Sequence, residues 1–168
     1  MKTYHQQKII FFSLRKNYAA AFINGRNCVL VTDLNETDKN YDFFVKPALS
    51  QLQVDKISLI DLKRDTIQGN FILKNNQIVF ADYKILIIND ALNYKKLEGN
   101  GDFSSLWISG NTKFKLATLS ASIKYKNVLI DATNKDYKIE IFKKVVKNNH
   151  LAAYVLKKNK AYLVQLTQ

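Results

Sequence analysis

Two apolar runs, Tyr18 to Asn24 and Asn27 to Asp33, flank the dipeptide Asn24-Gly25. Both residue types tolerate the positive φ that a type I′ turn demands, so the sequence predicts a β-hairpin over Tyr18 to Asp33. Runs of strand length surround it: Lys8 to Leu14 before, then Lys56 to Leu62, Asn70 to Lys74, Gln77 to Ala81 and Lys84 to Asn89 after. Asn75-Asn76 is a second tight-turn signal, joining the middle two of those runs.

Between the two groups, Phe43, Phe44, Ala48, Leu49 and Leu52 recur at helical spacings across Asp38 to Gln53. Pro47 inside this stretch is expected to kink the helix or restart it. From Ser104 onward strands alternate with helices. Ser105 to Ser109 reads as a strand, Asn111 as an N-cap, and Leu116, Leu119 and Ile123 as one helix face. Asn127 to Asp131 is a further strand. Asp136 is placed to cap a helix with a buried stripe of Ile139, Phe142 and Val146. Ala152 to Leu156 and Ala161 to Leu166 are expected to pair around the turn Lys157-Lys158-Asn159-Lys160. The order predicts layered α/β architecture, mixed β-sheets with flanking helices.

With 168 residues, one proline and five scattered glycines, the chain offers no linker or repeat, and a single domain over 8–168 is expected after a flexible segment over 1–7. One cysteine, Cys28, cannot form an internal disulfide and sits in an apolar run, as a small core residue would. The first residues are polar, and no apolar stretch approaches the ~20 residues of a membrane helix, so a soluble chain is expected, one that a larger membrane protein could also contain.

The net charge of +12 is uneven: up to Tyr94 there are 12 Lys and Arg against 9 Asp and Glu, and from Lys95 onward 14 against 5. A basic face suits phosphates, although a lysine-rich composition bias leaves the same pattern. Only Arg15, Arg26 and Arg64 offer the planar fork of guanidinium, which argues against base readout.

Several phrases carry a more specific likeness. The segment "KIIFFSLRKNYAAAFINGRNCVLVTD" (Lys8 to Asp33), "ADYKILIIND" (Ala81 to Asp90), "SSLWISGNTK" (Ser104 to Lys113) and the closing third from Asn127 to Leu166 resemble the metallo-β-lactamase-like domain that ends ComEC proteins, the inner-membrane channels of DNA uptake in competence. The likeness is nearest to Bacteroidetes-type members, whose own motifs are degenerate. It implies a reduced metallo-β-lactamase-like layered sandwich, on the periplasmic side of an inner membrane.

Set against that resemblance, the metal-binding strings are missing. The family's HxHxDH should follow a strand like Lys56 to Leu62, where this chain reads Leu62-Lys63-Arg64-Asp65-Thr66. Its HHGS position reads Ser109-Gly110-Asn111-Thr112, and its later His-Pro is replaced by Asn134-Lys135-Asp136-Tyr137. Asp90 alone matches a ligand position. The two histidines, His5 and His150, lie in the N-terminal segment and after the last helix, where a cation favours the negative helix end. No catalytic residue, metal site or cofactor is therefore expected, and no P-loop or GxGxxG string is present.

The implied role is a non-catalytic domain of a DNA-uptake protein that touches DNA through phosphates, or touches a neighbouring component of the machinery, with no small-molecule substrate. Candidate DNA contacts are Lys138, Lys143, Lys144, Lys147, Lys157, Lys158 and Lys160. One alternative is a structural or partner-binding relic without DNA affinity. The other is a residual metal-dependent nuclease using the strand-end carboxylates Asp33, Asp61, Asp65, Asp90 and Asp131.

Overall fold

The predicted hairpin forms, with a different turn at its tip. In the computed structural model, which describes residues 5–166, β2 (Ala19–Asn24) pairs antiparallel with β3 (Asn27–Thr32), and Asn24 faces Asn27. The central residues are thus Gly25 and Arg26, and of these only Gly25 has a positive φ, 63°. This is the type II′ pattern, with glycine first. The two-residue turn with positive φ at both positions, 51° and 58°, occurs instead at Asn75-Asn76, between β6 (Phe71–Lys74) and β7 (Gln77–Phe80).

Two mixed sheets are built around these turns. In the first, β1 (Gln7–Phe11) lies antiparallel to β2, β4 (Lys56–Ile60) lies parallel to β3, and β12 (Tyr162–Gln165) covers the other side of β1. The second has seven strands. Its parallel half comprises β8 (Tyr83–Ile88), β9 (Gly101–Ile108), β10 (Ile123–Asp131) and β11 (Ala153–Leu156), and β7, β6 and β5 (Thr66–Gln68) continue it as an antiparallel meander.

Strand alternation sorts side chains into three apolar layers. Ile9, Phe11, Phe22, Val29 and Val31 of the first sheet meet Phe71, Ile85, Ile87, Trp107 and Leu129 of the second, forming the core between the sheets. On the outer face of the first sheet, Ile10, Ala21, Ile23 and Leu30 pack under Tyr41, Val45 and Leu49. On the outer face of the second, Leu106, Ile108, Val128 and Ile130 pack under Ile139, Phe142 and Val146 of α2 (Asp136–Asn148). The result is a four-layer α/β/β/α sandwich, the layered arrangement of mixed sheets and flanking helices expected from the sequence. Strands buried on both faces explain the unbroken apolar runs of β3, of β8 and of the C-terminal end of β10, Val128 to Ile130.

Elsewhere the chain departs from the local expectations. The helix expected over Asp38 to Gln53 is split into a π-helical turn, Tyr41–Val45, and α1 (Lys46–Gln51), which begins at the proline. Pro47 has no N–H and its ring crowds the carbonyl four residues back, so the turn before it widens and Lys46 N–H reaches Tyr41 O. The buried positions therefore become Tyr41, Val45 and Leu49, and Phe43 and Phe44 are left 73% and 48% exposed. The helix expected after Asn111 is absent: Asn111 is left-handed (φ 52°), only a 3-10 turn forms at Leu116–Thr118, and Ile123 already belongs to β10. Asp136 is the first residue of α2 rather than its cap, and its carboxylate takes Lys157 Nζ at 2.6 Å.

The last two strands do not pair with each other. β11 joins the second sheet beside β10, and β12 crosses to the first sheet beside β1, because each offers an unsatisfied strand edge there. Near the start of the chain, residues 1–4 of the segment expected to be flexible lie outside the described residues. Gln6 is buried and donates its amide to Gly25 O and Leu52 O, and Gln7 begins β1. Among the described residues no helix is long and apolar enough to cross a membrane.

Candidate functional site

The C-terminal ends of β3, β4, β8, β9 and β10 all point to one edge of the sandwich, and a cleft of about 1010 Å³ opens there between the sheets. Crevices at the carboxyl ends of strands are where α/β sheets most often hold ligands, so this is the candidate site. Asp33, Asp61, Asp65 and Asp90 line it, together with Lys63, Arg64, Tyr18 and Thr133. Asp131 lies behind Thr133, which donates to its Oδ1 from the backbone at 3.0 Å and from its hydroxyl.

The five strand-end carboxylates are thus gathered at one edge, and Asp33, Asp61, Asp90 and Asp131 are each engaged by a protein donor. Asp33 Oδ1 accepts Tyr18 N–H at 3.0 Å, joining the open ends of the β2–β3 hairpin, and Asp61 Oδ1 accepts Lys63 N–H at 2.8 Å, closing a turn. Asp90 Oδ2 lies 3.3 Å from Lys63 Nζ. Among the described residues no three of His, Cys, Asp and Glu form a group able to hold a metal ion. The residues present do not fit a zinc pair: the sole carboxylate at a ligand position is matched with an ammonium, and no imidazole is near. His5 precedes β1 and His150 follows α2, both at the opposite edge. His150 instead closes the helix with φ 59° and donates its backbone N–H to Lys147 O at 2.9 Å.

Asp131 is different in kind. It is 1% exposed and accepts Trp107 Nε1–H at 2.8 Å in addition to the Thr133 bonds. Burial pushes its pKa up to about 6, and the hydrogen bonds only partly offset that. Trp107 is held edge-on by Phe11 and Tyr18 at 5.6 and 5.8 Å. Tyr18 Oη accepts Leu62 N–H at 3.2 Å, and burial pushes the Tyr18 hydroxyl up to about 12, so it stays protonated. Tyr18, which lines the cleft, and Trp107 and Asp131, which lie beneath its lining, form its floor. Sequence reasoning reached Asp131 as a strand-end carboxylate but missed Tyr18 and Trp107, whose signal is that Trp107 is the sole tryptophan of the chain.

Cys28 is buried in the outer layer of the first sheet, and burial pushes its thiol up to about 12, as suits an unreactive core residue.

The seven candidate lysines fall into separate places. Lys138 Nζ donates to Asn111 O and Thr112 O at 2.8 and 2.7 Å, tying α2 to the loop after β9. Lys157 is engaged by Asp136, and Lys143 Nζ lies 3.4 Å from Glu140. Lys144 and Lys147 are exposed on the far half of α2. Lys158 and Lys160 are exposed in the loop joining the two sheets, at the cleft edge.

The family model described as the ComEC C-terminal domain matches residues 9–166. No curated protein matches the chain. Among solved structures, a mutant of the CmlA beta-hydroxylase matches with a TM-score of 0.46 at 9% identity. The match covers 95% of this chain and 54% of that one, so the chain spans about half the length of that structure.

Proposed function

Because this chain belongs to the ComEC C-terminal domain family, we propose that it serves a DNA-uptake channel protein as a non-catalytic domain, on the periplasmic side of the inner membrane, contacting DNA or a neighbouring component of the uptake machinery. The observation that supports this reading is the Lys63–Asp90 pair, 3.3 Å apart across the cleft. A divalent ion and an ammonium compete for the same carboxylate oxygens, and here the protein supplies the ammonium itself. Two histidines on the opposite edge add no ligand.

One observation favours a second reading, a residual metal-dependent nuclease. Asp33, Asp61, Asp65 and Asp90 outnumber Lys63 and Arg64 in the cleft, so its field attracts cations. The two readings part in a direct test. Titration with Mn²⁺ or Zn²⁺ is expected to show no saturable binding in a calorimeter, dialysed protein is expected to carry no stoichiometric zinc by elemental analysis, and single- and double-stranded DNA are expected to survive incubation with Mg²⁺ or Mn²⁺. Cleavage that disappears in Asp90→Ala would establish the nuclease and overturn the non-catalytic reading. Absence of DNA binding at low salt would leave the partner-binding relic.

A further inference from the structure

The geometry points to a phosphate-backbone contact surface at the cleft edge, made by Arg15 and Lys16 together with Lys158 and Lys160, and not by the lysines of α2. This inference rests on the DNA-contact reading above and specifies where that contact is made.

The four cations come from opposite ends of the chain. Arg15 and Lys16 occupy the exposed bend between β1 and β2, and Lys158 and Lys160 occupy the loop between β11 and β12. The crossing of β12 to the first sheet sets these loops side by side: Phe11 at the end of β1 pairs with Tyr162 at the start of β12, and Asn159 N–H donates to Ser13 Oγ at 3.2 Å. Tyr154 Oη, donating to Lys160 O at 2.6 Å, fixes the same loop from the other sheet. A charged surface is thereby carried on anchored backbone, although its side chains remain free to adapt to phosphates.

Charge composition separates this surface from its neighbours. Neither loop, Phe12 to Tyr18 or Lys157 to Ala161, contains a carboxylate. Asp33 meets the first loop through the backbone N–H of Tyr18, and Asp136 pairs directly with Lys157 and attracts Lys158 more weakly, so Lys158 and Lys160 are left without a direct ion pair. The adjoining cleft is net acidic and repels phosphate. On α2, Glu140 interrupts the basic face beside Lys143. Because Asp136 sits against Lys157 at the start of α2, Lys144 and Lys147 lie roughly 12 and 16 Å further along the helix axis. Those separations exceed the Debye length of about 10 Å at 0.1 M salt, so the two lysine groups do not act as one field. Ammonium groups engage phosphate as point charges, which predicts binding without base preference.

The test compares two variants of equal net charge: Arg15→Glu with Lys158→Glu, and Lys144→Glu with Lys147→Glu. Fluorescence anisotropy with labelled single-stranded and duplex oligonucleotides at low salt is read beside a circular-dichroism melt. The expected result is that the loop pair loses about tenfold or more in affinity and flattens the log–log salt slope by about two units, at roughly 0.9 per duplex phosphate contact. The helix pair is expected to change affinity by no more than about twofold. Equal losses in both pairs, or a larger loss in the helix pair, would overturn the location while leaving DNA contact standing. No binding by the wild-type chain would sink the DNA reading and this surface with it. Should the loop pair melt early, Arg15→Gln with Lys158→Gln is the substitute, with a smaller loss expected in the same direction.

Discussion

Asp90 and Asp131 both follow or close parallel strands of the seven-stranded sheet, two strands apart, and they behave as opposites. At the mouth of the cleft, Asp90 is exposed and pairs with a likewise exposed Lys63. At its floor, Asp131 is sealed under Thr133 and gripped by the indole of Trp107. The residue type and the position at a strand end are shared. The difference is desolvation: a carboxylate in water needs no particular partner, whereas a buried one must satisfy its oxygens or take up a proton. The mouth can therefore change at little cost, and the floor cannot.

The largest break in this contrast comes from the floor's indole. Trp107→Ala removes a 1%-exposed ring flanked by Phe11 and Tyr18 and strips Asp131 of its donor. A loss of about 3–5 kcal/mol is expected by urea denaturation. Trp107→Phe keeps most of the ring and loses only the N–H, so about 1–3 kcal/mol is expected. A loss under that range would show that the indole is packing alone.

Next in size is the pH dependence of Asp131. With its pKa raised to about 6, the folded chain holds this proton more tightly than the unfolded chain does. Stability from this group is complete below about pH 4 and is lost as pH rises through about 6, a fall of about 2–3 kcal/mol. Asp131→Asn is expected to flatten that slope in melts between pH 4 and 7. The single tryptophan offers a second readout: its fluorescence is expected to titrate near pH 6 in the wild type and not in Asp131→Asn.

A smaller effect is expected for Tyr18→Phe, which leaves Leu62 N–H without its acceptor and costs about 1 kcal/mol. Smallest is the mouth itself. Lys63→Ala and Asp90→Ala should each fall within about 0.5 kcal/mol of wild type, with a coupling energy below about 1 kcal/mol in the double-mutant cycle. Coupling well above that would show that the pair is structural, and the contrast between mouth and floor would fail.

Elements were legible where the signal is local. Asn75-Asn76 folds as a tight turn because two small polar side chains tolerate left-handed backbone. Ile139, Phe142 and Val146 reach the core because helical spacing puts them on one face. Reading failed where a local cue competed with a distant partner. Asn111 carries a cap-type side chain, but it spends its Oδ1 on Lys135 N–H, at 3.0 Å, across 24 positions of chain. The last two strands look like a hairpin because a polar loop joins two apolar runs, and the edges that claim them are out of view of that window.

The same division applies to function. Residue identity by itself determined that this chain is a basic, layered α/β domain with cations and small polar residues where the ComEC resemblance calls for histidines, since those are statements about which side chains exist and how they alternate. Only the tertiary structure decided that Lys63 sits on Asp90, that Trp107 seals Asp131, and that Arg15 and Lys158 stand on neighbouring loops. These are distances between residues far apart in sequence, fixed by how two sheets close on a shared core, and no periodicity along the chain encodes them.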